Sequence, residues 1–255
     1  MDISAKQVME LRAKTGVSMM AVKKALVEAE GDEEKAVELL RKRGETKSAA
    51  KSDRATGEGG VGLKIEGGKG VMVAIKCETD FVSRNDAFKE LLQTVADKYF
   101  EMGDAAEEAL KETIANAVNT LAENIQISGH NVVESAVVGG YVHTNGKIGV
   151  LIGLDGGEAE QARDIAMHAA AMNPMVVNPE EVTDELVEKE KVIWVDQLKQ
   201  EGKPEEMIEK IMGGKEKKFR EEGALMSQPF VKDSSKKVAE FLGDVKVSEY
   251  VRAVI

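Results

Sequence analysis

Along the first 44 residues, apolar side chains return every three or four positions, the period of an amphipathic helix. Val8 and Leu11 carry it first. Ser4 ahead of them suits a helix N-cap, and Thr15-Gly16 stops the run. Ser18 opens a second helix with Val22, Ala25, Leu26 and Ala29 on one face. Gly31-Asp32 separates a third, with Ala36, Val37 and Leu40 inward. Three helices this short make a marginal unit on their own. Residues 45–60 carry almost no large apolar side chain and read as a linker.

The period then shifts from helical to two. VGLKIEGGKGVMVAIKC predicts two strands around EGGKG, a hairpin signal. A helix follows, with Phe88, Leu91, Leu92, Val95 and Tyr99 at helical spacing and Ser83 as the cap at its start. A further helix near 106–124 turns Leu110, Ile114, Val118, Leu121 and Ile125 inward. VVESAVVGGYVHTNGKIGVLIGL predicts a second hairpin that turns at TNGK, and Glu158–Met172 predicts a helix carrying Ala162, Ile165, Ala166 and Ala169. Hairpin-then-helix therefore occurs twice. Gly68-Lys69 recurs as Gly146-Lys147 at the same offset that separates Gly62 from Gly140. An internal duplication and a chance likeness between hairpins both account for that.

Between 182 and 226, two charged helical segments flank a turn at Glu201–Pro204. Val182, Leu186 and Ile193 line one segment; Ile208, Ile211 and Phe219 line the other. This pattern predicts an antiparallel helical hairpin that projects from the body. The tail returns to the core with a short helix around Val238, Phe241 and Leu242 and a closing strand, VKVSEYVRAVI. The elements add up to an α+β chain. Its expected parts are a three-helix unit (1–44), a linker (45–60), a core N-terminal subdomain (61–139), a core C-terminal subdomain (140–181 with 227–255), and a coiled-coil hairpin (182–226). Antiparallel sheets are expected in both core subdomains.

Composition narrows the function. At 255 residues the chain suits two or three small units, and with only 4% aromatic residues their cores must be built from Val, Ile, Leu, Ala and Met. A net charge of −11 opposes direct nucleic-acid binding, which needs clustered cations, and opposes an anionic membrane surface. No apolar run approaches the roughly 20 residues of a membrane helix, and the amphipathic N-terminus lacks a signal-peptide core. One cysteine, Cys77, excludes an internal disulfide framework and fits a reducing compartment. These features predict a soluble cytoplasmic protein.

Enzyme chemistry finds little support. Cys77 as a nucleophile would need a histidine partner, and His130, His143 and His168 stand at no recognisable spacing to it. A cysteine at a strand end is more often a small hydrophobe. His168, in IAMHAAAM, reads as packed or capped, and His143, in a hairpin, as exposed. Glu78 and Asp80 lack a third ligand for a metal. GGKG at 67–70 is a hairpin turn, whereas a phosphate-cradling loop runs from strand to helix with Lys before Ser or Thr. No cofactor is expected. Met19-Met20 stands out, since two adjacent residues cannot both face one helix core. Phe81 stands out as well, between an acid and a polar SRN. It either folds back beneath the following helix or is an anchor for a partner's pocket, worth roughly 1.5–3 kcal/mol when fully buried.

Taken together, LRAKTGVSMMAVKKALVEAEGDEEKAVELLRKRG, CETDFVSRND, IAMHAAAMNP, EGKPEEMIEKIMGGKEKKF and QPFV resemble, in family order and over nearly the whole chain, the elongation factor Ts family. The first motif alone resembles only a ubiquitin-associated-type three-helix domain. The resemblance implies a nucleotide-exchange factor for the GTPase elongation factor Tu, with no covalent chemistry. It implies that Thr79, Asp80, Phe81 and Val82 lie at the GTPase's magnesium and nucleotide site. Phe81 would wedge into an apolar pocket, and Asp80 would contact polar groups nearby. It implies that Arg12, Met19 and Met20 grip a helix on the far side of that pocket, and that His143 faces the GTPase.

The chain departs from the family pattern in three places. Lys76 stands where asparagine is usual, Val22 replaces a frequent cysteine, and no C-terminal helix follows EYVRAVI, so a contact of longer members is expected to be missing. Two other readings stay open: a non-catalytic adaptor that binds proteins through residues 1–44 and the helical hairpin, and an enzyme using Cys77. The oligomeric state stays open too, a homodimer within the complex included.

Overall fold

The computed structural model describes residues 3–44 and 51–255. Helices α1 (Ala5–Thr15), α2 (Met19–Glu28) and α3 (Glu33–Lys42) start where the sequence places their caps. Ser4 forms a capping box with Gln7, Ser18 accepts from the Ala21 N–H, and Asp32 accepts from the Lys35 N–H. Gly16 ends α1 in the left-handed conformation, as a C-terminal cap requires. The three helices enclose a cluster that includes Leu11, Val22, Leu26 and Leu40.

The remainder is an α+β body built of two similarly ordered halves. In the first, β1 (Glu58–Glu66) and β2 (Lys69–Cys77) form a hairpin. After α4 (Asp80–Ser83), α5 (Asp86–Met102) and α6 (Ala106–Leu121), β3 (Gln126–Glu134) pairs antiparallel with β2. In the second, β4 (Val137–Val142) and β5 (Ile148–Leu154) form a hairpin, α7 (Ala159–Met172) follows, and β8 (Val247–Val254) pairs antiparallel with β5. The strand orders are β1-β2-β3 and β4-β5-β8.

Strand alternation sorts the core. Val71, Val73, Ile75 and Cys77 of β2 face Phe88, Leu91 and Val95 of α5 and Leu110 and Val118 of α6. Met72 points the other way, into a layer with Val61, Val133, Val138 and Leu151 that lies between the two sheets. In the second half, Val150, Ile152 and Leu154 of β5 face Ile165, Ala166 and Ala169 of α7. Both faces of β2 and β5 are thus covered, which is why each reads as an almost unbroken apolar run. Two glycines let the helices come close. A Cβ at Gly62 of β1 would meet the Leu92 carbonyl oxygen at 2.8 Å, and one at Gly139 of β4 would meet the Arg163 nitrogen at 2.5 Å.

Helices α8 (Asp184–Gln200) and α9 (Glu205–Gly223) form the helical hairpin, and Trp194 meets Phe219 edge-on at 5.5 Å. Its base is stitched down where Arg220 donates to the Val182 carbonyl (2.5 Å) and to Asp184 (2.6 Å). The chain closes through a small β6 (Pro229–Phe230) and β7 (Asp233–Lys237) ribbon and α10 (Val238–Leu242).

The structure corrects the sequence reading in several places. β1 opens at Glu58, and Asn124 donates to the Ser52 and Arg54 carbonyls, so the latter part of the expected linker is held to the body. Residues 45–50 of that linker lie outside the described residues. Val132 and Val133 belong to β3, a strand not predicted, and β4 begins at Val137, so the expected boundary at 139/140 falls inside a strand. Leu186 and Ile193 are exposed, and α8 instead buries Val187, Trp194 and Leu198, one position along. Asn85, and not Ser83, caps α5.

Candidate partner-binding site

β2 ends at Cys77, and only two residues separate it from α4, a single helical turn. Thr79 caps that turn, its hydroxyl accepting from the Val82 N–H at 3.4 Å. Below it, the Ser83 hydroxyl donates to the Asp80 carbonyl at 3.0 Å, and Asn85 begins α5 by accepting from the Ala87 N–H at 2.9 Å. One turn of helix points neighbouring side chains about 100° apart. Val82 therefore rolls inward onto the cluster of β2 and α5, and Phe81 rolls outward. Phe81 is 84% exposed, so the reading in which it folds back under α5 does not hold. Asp80 is partly exposed, and its carboxylate pairs with Arg84 at 3.0 Å. Thr79 and Val82 are half-buried and serve the turn itself.

The turn is held from across the fold by Glu123. One carboxylate oxygen accepts from the backbone N–H groups of Glu78 (2.9 Å) and Thr79 (3.1 Å), and the other accepts from the Thr79 hydroxyl (2.6 Å). The chain reaches Glu123 through Ala122, which sits in the left-handed region with φ +61°. For a residue with a Cβ, that conformation costs about 1–2 kcal/mol. Next to it, the Asn124 N–H donates to Glu78 at 2.7 Å, and the Asn124 side chain holds residues 52 and 54. Sequence reasoning missed Glu123, Asn124 and Arg84. The first two lie past an ordinary helix end that has no glycine or proline to mark a corner.

Cys77 faces the interior, and its thiol donates to the Thr79 carbonyl at 3.3 Å. Burial first, then the charges of Glu123 and Glu58, push the thiol up to about 11, so it stays protonated and weakly nucleophilic at neutral pH. The histidines are engaged elsewhere. His130 stacks on Tyr99 at 4.1 Å, and His168 is fully buried against Gln228. Among the described residues, no three or more Asp, Glu, His or Cys gather as a metal ion would require.

Neither Phe81 nor His143 lines the cleft beside them, but their chain neighbours Ser83, Val142 and Thr144 do. This cleft, of about 410 Å³, lies between the end of α4 and the β4–β5 turn. Gly60, Gly62, Ser83, Arg84, Thr144 and Asn145 are among its walls, and the Val61 N–H donates to the Gly146 carbonyl at 2.9 Å beside it. His143 is half-buried, where the sequence suggests exposure, because its ring lies beside Tyr141, with the Tyr141 hydroxyl 3.4 Å from Nδ1. Arg12 on α1 and Met19 and Met20 in the first turn of α2 are all exposed. Arg12 makes no ion pair among the described residues. Among those residues, too, no helix is long and apolar enough to cross a membrane.

Comparison with known proteins adds a family. A family model described as Elongation factor TS matches residues 78–255. The chain is 45% identical over 243 residues to elongation factor Ts of Teredinibacter turnerae, covering 91% of this chain and 83% of that protein. It is 42% identical over 253 residues to elongation factor Ts of Deinococcus radiodurans, covering 95% and 96%. It is also 42% identical over 265 aligned positions, gaps included, to that of Lactiplantibacillus plantarum, covering 98% and 91%.

Proposed function

Since the chain belongs to the elongation factor Ts family of translation elongation factors, we propose that it is a guanine nucleotide exchange factor for elongation factor Tu. It binds the GDP form, loosens the magnesium and phosphate site, lets GDP leave and departs as GTP enters. Phe81 is the wedge, entering an apolar pocket of the GTPase, and Asp80 contacts polar groups beside that pocket. Thr79 and Val82 complete the contacting turn. Arg12, Met19 and Met20, on a three-helix unit of ubiquitin-associated type, grip a helix on the far side of the nucleotide. His143, across the cleft from α4, faces the same partner. The helical hairpin supplies a peripheral contact or a dimer surface.

The observation that carries this reading is the placement of Phe81, a large aromatic 84% exposed on a turn whose backbone is pinned at both ends. Left in water, it forgoes roughly 1.5–3 kcal/mol of burial that a partner's pocket can return. Linkage sets the scale. A factor that weakens GDP binding is itself weakened by GDP to the same degree. Each tenfold change needs about 1.4 kcal/mol of contact made only with the nucleotide-free GTPase. Phe81 therefore supplies one or two such factors, and the N-terminal contacts share the rest.

The test is release of fluorescent GDP from purified elongation factor Tu. The intact chain accelerates release strongly, and Phe81→Ala lowers the acceleration at least ~10-fold. An unaltered rate for that variant would transfer the work to Arg12, Met19 and Met20.

A further inference from the structure

Phe81 can act as a wedge only if the turn beneath it resists being pushed back, and that turn is short. Four helical residues contribute few hydrogen bonds of their own, and none of them is fully buried. Its rigidity must be supplied from outside. Glu123 supplies it through a carboxylate, which takes two backbone N–H groups and one hydroxyl from Glu78 and Thr79. Charge-assisted hydrogen bonds are the stronger kind. The corner that presents Glu123 is unusual in its own right, because Ala122 holds a positive φ that its side chain disfavours. The corner is also anchored on its other side, where Asn124 ties Glu78 to the Ser52 and Arg54 carbonyls.

We infer that Glu123 is a positioning residue for Phe81: its carboxylate fixes the 78–79 backbone so that force on the ring is transmitted to the partner and is not lost in the turn. Glu123 need not touch the GTPase to do this. The inference rests on the exchange-factor reading for its functional half and on the hydrogen-bond geometry for its structural half, and the two halves are tested apart.

In the free protein, backbone amide hydrogen exchange is followed by mass spectrometry on peptides covering residues 78–85. Glu123→Ala is expected to speed exchange there at least ~10-fold, while peptides from β5 and α7 stay as in the parent. Glu123→Gln keeps one oxygen for the two N–H groups and an amide for the Thr79 hydroxyl, so it should restore protection to within about threefold. In GDP release from elongation factor Tu, Glu123→Ala is expected to lower the rate at saturating factor ~10-fold and to move the half-saturating concentration less than about threefold. Glu123→Gln should again recover most of that loss. Should Glu123→Ala fail to fold, Thr79→Val removes only the hydroxyl's bonds, and a smaller change of the same pattern is expected.

Unchanged amide exchange at 78–83 overturns the inference, and so does a loss that appears only in the half-saturating concentration. If the intact chain fails to accelerate GDP release, the exchange-factor reading falls, and the amide measurement still decides whether Glu123 holds the turn.

Discussion

Thr79-Asp80-Phe81-Val82 and Gln228-Pro229-Phe230-Val231 carry the same Phe-Val pair and treat it in opposite ways. Phe81 is 84% exposed and Val82 tucks inward; Phe230 is 3% exposed and Val231 is 46% exposed. The reversal comes from the backbone. In α4, a single helical turn capped by Thr79 rolls Val82 onto β2 and α5. In β6, alternation sends Phe230 inward, where it stacks on Phe241 at 4.3 Å and lies beside His168 at 5.9 Å. Each segment is held by a polar side chain from elsewhere. Glu123 holds the first at a partly exposed corner. His168 holds the second in the interior, accepting from the Val231 N–H at 3.1 Å and donating to Gln228 at 2.9 Å. One phenylalanine belongs to the core, and the other is left for a partner.

The largest effect should come from the buried member. Phe230→Ala is expected to destabilise the fold by about 3–5 kcal/mol in urea unfolding, whereas Phe81→Ala should change it by no more than about 0.5 kcal/mol. Equal losses would erase the contrast. Next comes pH. Burial pushes the His168 imidazole below its usual value, so the folded form keeps it neutral. The unfolded chain then binds the extra proton, so the stability tied to His168 is fully present above about pH 6.5 and is lost as pH falls from there through the lowered value of the folded imidazole. The urea midpoint should therefore drop more steeply on acidification in the parent than in His168→Gln, and parallel curves would remove His168 from the account.

Smaller again is the reactivity of Cys77, which lies just before the exposed segment and shares none of its exposure. With its thiol raised to about 11, iodoacetamide at neutral pH should leave it intact in the folded protein and modify it in denaturant, as read by intact mass. Rapid labelling of the folded chain would show that the first segment opens far more readily than its hydrogen bonds imply. The smallest effect is expected at the N-terminal patch. Met20→Ala should leave stability unchanged and weaken complex formation with elongation factor Tu only a few-fold, as measured by titration.

The helical parts of this fold were legible because their signals are local. Ser4, Ser18 and Asp32 each cap the helix that follows, and Leu11, Leu26 and Leu40 are buried as their spacing predicts. β3 was not legible, since QISGHNVVE keeps no regular alternation of apolar and polar residues and exposes most of its length. Along α8, the sevenfold spacing of Leu186 and Ile193 imitates a buried face, but packing of Trp194 against Phe219 turns the helix by one position. At the site, residue type left Phe81 undecided between core and surface, because the answer depends on the turn that carries it. Glu123 lies more than 40 positions from Thr79 and meets it only in three dimensions. No motif could announce that contact.

The second sheet receives its third strand from the last residues of the chain, because β8 pairs with β5 only after α7, the helical hairpin and the β6–β7 ribbon have intervened. During synthesis at roughly 5–20 residues per second, β5 must therefore wait on the order of ten seconds with one side unpaired. The first sheet has all its strands once β3 has emerged. The leading half is thus able to fold well before the trailing half, and until β8 emerges the free flank of β5 is an unpaired strand edge open to mispairing.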